Sequence, residues 1–355
     1  MRTALLILLS CSPPLHADAT IQLPGKERRI ICVDDINSVV WCLTGERLTG
    51  YEYSKVGLGP KVLQRSGVGS AVVFLPETQR IALHTSTNPA WQLIDYDGQV
   101  KTTIDMAGKH FPSQLNVSWD EKAMTGVLFH RDAIPKNSQT SIFRLDLDRE
   151  KQKLLKPSIG PTGSTPLLTT DLDVFFAPGI NAMESRNKFA VWNAESGHVS
   201  EVAAFPFGVD FVSVSPNGKF VAGVNEFEST NNKFFRNVVI LNVTSGAFAV
   251  LDAPFKGHDE LYNPVFSRTG ELLVSSANRA EIHEVLRGQV PVMTFSSSDI
   301  QSDDCFVGHE KVKVMKSRAT TNQLPYWTTS GRKIWRPRNL ETGVAVDIVS
   351  RSELQ

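Results

Sequence analysis

Four cysteines in 355 residues are too few to staple a chain of this length, so the fold has to rest on a packed apolar core. An excess of either charge is missing too. Lys+Arg and Asp+Glu both number 37, the formal net charge is zero, and no field points to nucleic acid or an anionic membrane. There is no long block of one charge sign, no low-complexity tract and no Pro-rich linker. No apolar run is long enough to cross a bilayer, and no long amphipathic window with caps marks a helix. Chemical signatures are scarce. The chain lacks a G-x-S-x-G elbow, a phosphate loop and a full G-x-G-x-x-G. "HEVLR" at His283 lacks the second histidine of a zinc helix. Neither a cofactor nor a metal is therefore expected.

The N-terminus departs from the rest. "MRTALLILLSCSPPLHADA" has Arg2, an apolar run from Ala4 to Leu9, two prolines and Ala17-Asp18-Ala19. That order fits a secretory signal cut after Ala19, so residues 1–19 are expected to be a leader and 20–355 one domain in the periplasm or outside the cell. "LLSC" offers a lipidation box at Cys11 as the lesser alternative.

What the chain has in quantity is one hairpin, repeated. "SVSPNGKFVAGVNEFE" (Ser213–Glu228) alternates apolar and polar residues, turns at Ser-Pro-Asn-Gly, and alternates again. "LNVSWDEKAMTGVLFHR" and "NPVFSRTGELLVSSAN" follow the same plan, and weaker copies start at Arg29, Ala71 and Pro166. Turns near Ile36, Glu77, Asp120, Asp171, Asn217 and Thr269 are spaced by roughly 41, 43, 51, 46 and 52 residues. Two further β-type runs follow each hairpin, as in "RNVVILNVTSG" and "GAFAVLDA". Four strands per unit at this period predict an all-β propeller of four-stranded antiparallel blades, because one small sheet cannot bury both its faces alone. The C-terminal segments Lys311–Arg318, Gln323–Ser330, Lys333–Arg338 and Val344–Ser350 predict a seventh blade, with six as the fallback. Two closures are open: "TIQLP" (Thr20–Pro24) adds an outer strand to the last blade, or each blade is contiguous and Thr20–Lys26 is a tail.

"SVSPNGKFVAGV" and "PVFSRTGELLVSS" resemble the strand–turn–strand signature of TolB-like and WD-repeat-like propellers. Gly257-His258 and Gly308-His309 stand where WD-repeat proteins often carry a Gly-His pair, and "VWNAESG" resembles a third-strand segment. The Trp-Asp dipeptide of that family is missing. This resemblance implies the fold and is nearly silent on activity.

Candidate residues fall into three groups. His110, His258 and His309 lie before units three, six and seven. They either bond a neighbouring strand or stand at the axial mouth as base or metal ligands. The second-to-third-strand connections are long and polar, which makes His130, Arg131, Glu226, Phe227, Glu228, Asn231 and Asn232 candidates for a binding rim. Cys32 and Cys42 flank the first turn. With Asp34 opposite Val40 they would oppose each other, which predicts a disulfide in an oxidising compartment. Cys305 lies in the connection after unit six. "DYDG" (Asp95–Gly98) predicts a β-turn, and the glycosylation triplets at Asn116 and Asn242 fall inside expected strands.

The function expected from these features is a secreted or periplasmic scaffold that holds a protein, peptide or glycan on a face of inter-strand loops. The competing expectation is a lactonase-like hydrolase or a lyase with a polar or metal site at the axial mouth.

Overall fold

The computed structural model describes residues 19–25, 29–85, 90–104, 110–130, 140–159, 166–169, 172–178, 188–205, 208–228, 234–251, 263–275, 279–284, 314–316, 326–340 and 343–350. After a first strand β1 (Ala19–Gln22), the chain builds one antiparallel sheet after another. Sheet one is β2 (Ile30–Asp34), β3 (Val39–Thr44), β4 (Arg47–Ser54) and β5 (Gly57–Arg65). Sheet two is β6 (Val68–Leu75), β7 (Arg80–Thr85), β8 (Trp91–Asp95) and β9 (Val100–Ile104). Sheet three is β10 (His110–Val117), β11 (Ala123–His130), β12 (Thr140–Asp146) and β13 (Lys151–Ile159). Sheet four is β14 (Leu167–Leu168), β15 (Val174–Phe176), β16 (Lys188–Trp192) and β17 (Val199–Ala204). Sheet five is β18 (Val209–Val214), β19 (Phe220–Glu228), β20 (Phe234–Asn242) and β21 (Phe248–Leu251). Sheet six is β22 (Asn263–Phe266), β23 (Glu271–Ser275), β24 (Arg279–Glu284) and β25 (Val314–Lys316). Sheet seven joins β26 (Tyr326–Trp327), β27 (Lys333–Leu340) and β28 (Gly343–Ser350) to β1, in the order β26-β27-β28-β1.

The two open questions of closure resolve together. The first strand of the chain is the outer strand of the last sheet, with Ala19 opposite Ile348 and Gln22 opposite Ala345. The segment Lys311–Arg318, expected to open the seventh unit, instead supplies β25 to sheet six, where Met315 faces Ala280. Displacing it leaves sheet seven one strand short, and β1 fills the place. Ile21 and Leu23 are buried there against Val346, Ile348 and Trp335, together with Val33, Val40 and Tyr51 of sheet one.

Core clusters follow the seams between sheets. One joins sheets one and two around Trp41, Leu83 and Ile94. The next joins two and three around Trp91, Met124 and Phe143. Others lie between three and four, four and five, and five and six. The seam of four and five is aromatic: Phe175 and Phe189 stack at 5.4 Å, and Phe211 meets Phe189 edge-on at 4.8 Å. Each such pair contributes about 0.5–1.5 kcal/mol beyond area burial. Phe205 packs into the same cluster and is core.

The turn joining the first two strands is alike in every sheet. Ser38, Gln79, Glu121, Leu172, Gly218, Gly270 and Gly331 all have positive φ at the equivalent place. In three sheets a serine four or five residues before the start of the second strand ties the turn. Ser118, Ser215 and Ser267 accept from the amides of Lys122 and Ala123, Phe220 and Glu271, respectively. This is the local rule that made the repeat visible in the sequence.

Innermost strands carry β-bulges in sheets one, two, three and five. In sheet five the bulge needs Gly223, where an added Cβ would lie 2.5 Å from the Asp210 oxygen. In sheet one the bulge overturns the predicted disulfide. Asp34 pairs with Val39 and Cys32 with Trp41, while Cys42 pairs with Ile30. A one-residue slip sends side chains to opposite faces. Cys32 packs toward sheet two and Cys42 toward sheet seven, and both are free thiols.

Candidate functional site

Strand direction gives the ring two unlike ends. The first-to-second and third-to-fourth turns lie at one, here the turn end. The second-to-third connections and the links between sheets lie at the other, here the open end.

The turn end is tied together across the ring. Glu121, in the turn of sheet three, is 2% exposed and accepts from the amides of Glu77 (2.9 Å) and Thr78 (3.1 Å) and from the Thr78 hydroxyl (2.9 Å) of sheet two. Arg268, from sheet six, donates to Glu121 at 3.3 Å, to the Trp119 carbonyl at 3.3 Å, and to Glu77. The Trp119 indole donates to the Val214 carbonyl of sheet five at 3.0 Å. Sheets two, three, five and six are thus joined by groups that meet at the axis.

The seam of sheets seven and one is fastened at the same end. Asp34 is wholly buried and carries no cation partner among the described residues. It accepts instead from the amides of Ile36 and Asn37, the Asn37 amide group, the Tyr96 hydroxyl at 2.7 Å and the Thr329 hydroxyl at 2.7 Å. Ser330 donates to Asp35 through its amide (2.8 Å) and hydroxyl (2.6 Å). Five donors satisfy the oxygens of this buried carboxyl group. Burial, with Asp34 adding to it, pushes the Tyr96 hydroxyl well above the usual phenol range, so it stays a donor. Burial, then Asp34 and Asp35, likewise push the Cys32 thiol up.

At the open end the structure regroups the expected residues. His110 is not in a connection but is the first residue of β10, and its register partner is His130, the last of β11. Two histidines from separate expected sites therefore stand directly opposite in one sheet. Glu226, Phe227 and Glu228 were expected in a loop, and the structure extends the strands through them. They pair with Arg236, Phe235 and Phe234, in a hairpin that runs three residues past the end of β18, whose last partner is Asn225. Cross-strand pairing of Phe227 with Phe235 suits β-structure better than loop. Arg131, Asn231, Asn232, His258, Cys305 and His309 lie outside the described residues. Among the described residues no group of three or more His, Cys, Asp or Glu is placed to hold a metal, and no helix is long and apolar enough to cross a membrane.

One residue at this end escaped the sequence reading. His84, one residue before the end of β7, is half-buried, and its ring meets Trp91 edge-on at 6.0 Å. Burial lowers its pKa, which keeps the imidazole neutral at pH 7. Its Nε2 and the Trp91 Nε1 are both buried and find no hydrogen-bond partner among the described residues. In the sequence His84 fills one ordinary place in a strand alternation, and only the register reveals its neighbour.

No protein-family model matches the chain, and no curated protein matches it by sequence. Solved structures do. The chain is similar to an oligogalacturonate lyase in complex with manganese, at 10% identity and TM-score 0.60, over 96% of this chain and 94% of that one. It is similar to Kuenenia stuttgartiensis hydrazine synthase at 15% identity and TM-score 0.62, over 94% and 98%. An oligogalacturonate lyase from Vibrio parahaemolyticus matches at 12% identity and TM-score 0.59, over 95% and 92%. At these identities the likeness establishes an all-β propeller fold and nothing about chemistry.

Proposed function

We propose that the protein is a propeller scaffold of the periplasm or cell exterior that holds a protein, peptide or glycan partner at its open end. The TolB-like resemblance read from the hairpins belongs to this reading. The observation that carries it is the asymmetry of the ends. Arg268, Glu121 and Trp119 spend their polar groups on one another across the turn end, while the open end projects the hairpin of Glu226–Glu228 beyond its own sheet. A rigid platform with one projecting edge suits recognition, because little ordering cost falls on binding.

The test is capture of a partner from an envelope extract with the mature protein fixed to a resin. Glu226→Lys with Glu228→Lys should abolish capture, and Lys122→Glu at the turn end should leave it intact. Equal capture by all three proteins would sink the reading. A second reading is a propeller enzyme, a lyase or hydrolase with a polar or metal centre at the axis. The neutral, half-buried His84 supports it as a potential base. Metal content of the purified protein, measured before and after chelation alongside a thermal melt, separates the two.

A further inference from the structure

We propose that the leader's cleavage site and the strand that closes the ring are one segment, so that the cut between Ala19 and Thr20 precedes closure, and closure seals that bond against the peptidase. This rests on the export reading of the protein and adds to it an order of processing and folding.

The bond is identified by sequence and located by register. Ala17-Asp18-Ala19 is the small-residue pattern of a leader's cleavage site, which places the cut after Ala19. In the folded chain that bond lies inside β1, with Ala19 opposite Ile348 and Thr20 opposite Asp347. Leu23 donates its amide to the Val344 carbonyl at 2.9 Å. In an antiparallel ladder every second pair exchanges hydrogen bonds. The bonded pairs are therefore Leu23 with Val344, Ile21 with Val346, and Ala19 with Ile348. Thr20 and Asp347 form a non-bonded pair, in which side chains approach most closely, and the Thr20 hydroxyl donates to the Asp347 carboxyl group at 2.9 Å.

It follows that the Ala19 carbonyl accepts from the Ile348 amide. A peptidase has to place that same oxygen among its own donors, where negative charge develops as the carbonyl is attacked. The sheet and the peptidase cannot both hold it. Freeing it means peeling β1 from the sheet. Ile21 and Leu23, just beyond the bond, are 0% and 2% exposed and pack with Trp335 and Val346. Local opening that exposes such side chains leaves only a small fraction of molecules open to cleavage at any moment.

The cut itself does not undo the closure. Water adds across the bond, leaving a carboxylate on Ala19 of the leader and an α-ammonium on Thr20 of the domain. The bonded pairs of Ile21 and Leu23 lie wholly in the mature chain. Ile348 loses its partner, but Thr20 gains a cation beside the Asp347 carboxyl group, a residue 6% exposed. The order thus runs one way. A chain cut first can close, and a chain closed first is withheld from the peptidase.

The test uses the full-length precursor, purified in urea, and a bacterial leader peptidase in detergent micelles. The precursor is diluted either straight into the peptidase or into buffer to fold first, and intact mass follows the cut. The chain presented unfolded should be cut between Ala19 and Thr20. The prefolded chain should be cut about a hundredfold more slowly, because two buried aliphatic side chains must be exposed first. Val346→Asp leaves the leader and the bond untouched but spoils the seat of Ile21, and should bring the prefolded rate up to the unfolded one. A second readout needs no variant. The Ile348 amide should resist hydrogen exchange in the folded precursor and exchange faster in the mature protein that begins at Thr20, where its acceptor is gone. Equal cutting of prefolded and unfolded wild-type precursor, or an Ile348 amide that exchanges alike in precursor and mature protein, overturns the inference and leaves the export reading standing. No cut in either state, or a cut elsewhere, removes the export reading and the inference with it.

Discussion

Arg268 of the sixth sheet donates to the buried carboxylate of Glu121 in the third, 147 residues earlier, at 3.3 Å. Glu121 adopts φ of 58°, a conformation that the equivalent turns of sheets five, six and seven give to glycine. The side chain is thus kept at a backbone cost of about 1–2 kcal/mol. Glu121→Gln should destabilise the fold by about 1–3 kcal/mol, since an amide cannot accept all the bonds the carboxylate accepts. Glu121→Gly should be less harmful than Glu121→Ala by roughly 1 kcal/mol, because glycine escapes the left-handed penalty. Urea unfolding of the three variants checks the order. Equal stability of the Gly and Ala forms would mean that the turn stores no strain.

Ile21 carries much of the ring's closure. It is fully buried on a strand of only four residues, with its neighbour Thr20 donating to Asp347 at 2.9 Å. Ile21→Ala should cost about 2–5 kcal/mol. Thr20→Val removes one exposed-side hydrogen bond and should cost no more than about 1.5 kcal/mol. Thermal melts of both distinguish a closure held by apolar contact from one held by the polar pair.

Cys32 and Cys42 should remain thiols even in protein prepared from an oxidising compartment. Alkylation after unfolding, without reductant, should modify both. Alkylation of the folded protein at pH 7 should be slow at both, because Cys42 is fully buried and burial raises the Cys32 pKa. A mass two units short of the dithiol would contradict the observed register.

His84 makes stability depend on pH in a defined direction. Its pKa is lowered by burial, so the unfolded chain binds this proton more readily than the folded one. The associated stability is fully present above the unfolded value of about 6.5 and is lost as pH falls through the folded value. His84→Phe should therefore flatten the part of the stability profile just below pH 6.5. Denaturant midpoints of wild type and variant across about pH 5–7 test this. Parallel profiles would show that the imidazole titrates as if exposed.

The hairpins were legible because each rests on local chemistry. Ser215, Asn217 and Gly218 form their turn from neighbours in the chain, and the strands alternate on either side. Less was legible where one sheet depends on a distant segment. Whether Thr20–Pro24 paired at all turned on β28, and the place of Lys311–Arg318 turned on which sheet needed an edge. The cysteine pairing failed on a single bulge next to Ile31, which no turn residue announces. His84 was invisible for a related reason. A strand position becomes a site only through what stands beside it in the sheet, and Trp91 reaches it only by register.

Closure by β1 also sets an order of events in time. Ala19 is among the first described residues to be made, and Ile348, its partner, comes 329 positions later. At roughly 5–20 residues per second, β1 waits on the order of 20–70 seconds for β28 to exist. Until then the stacked sheets are an open arc with two uncovered apolar ends, Val33 and Val40 at one and the face of Trp335 at the other once it is made. Contacts of this sequence separation slow folding, and exposed strand edges invite pairing with other chains. The same strand that completes the ring is thus the one whose absence leaves the growing chain most prone to associate.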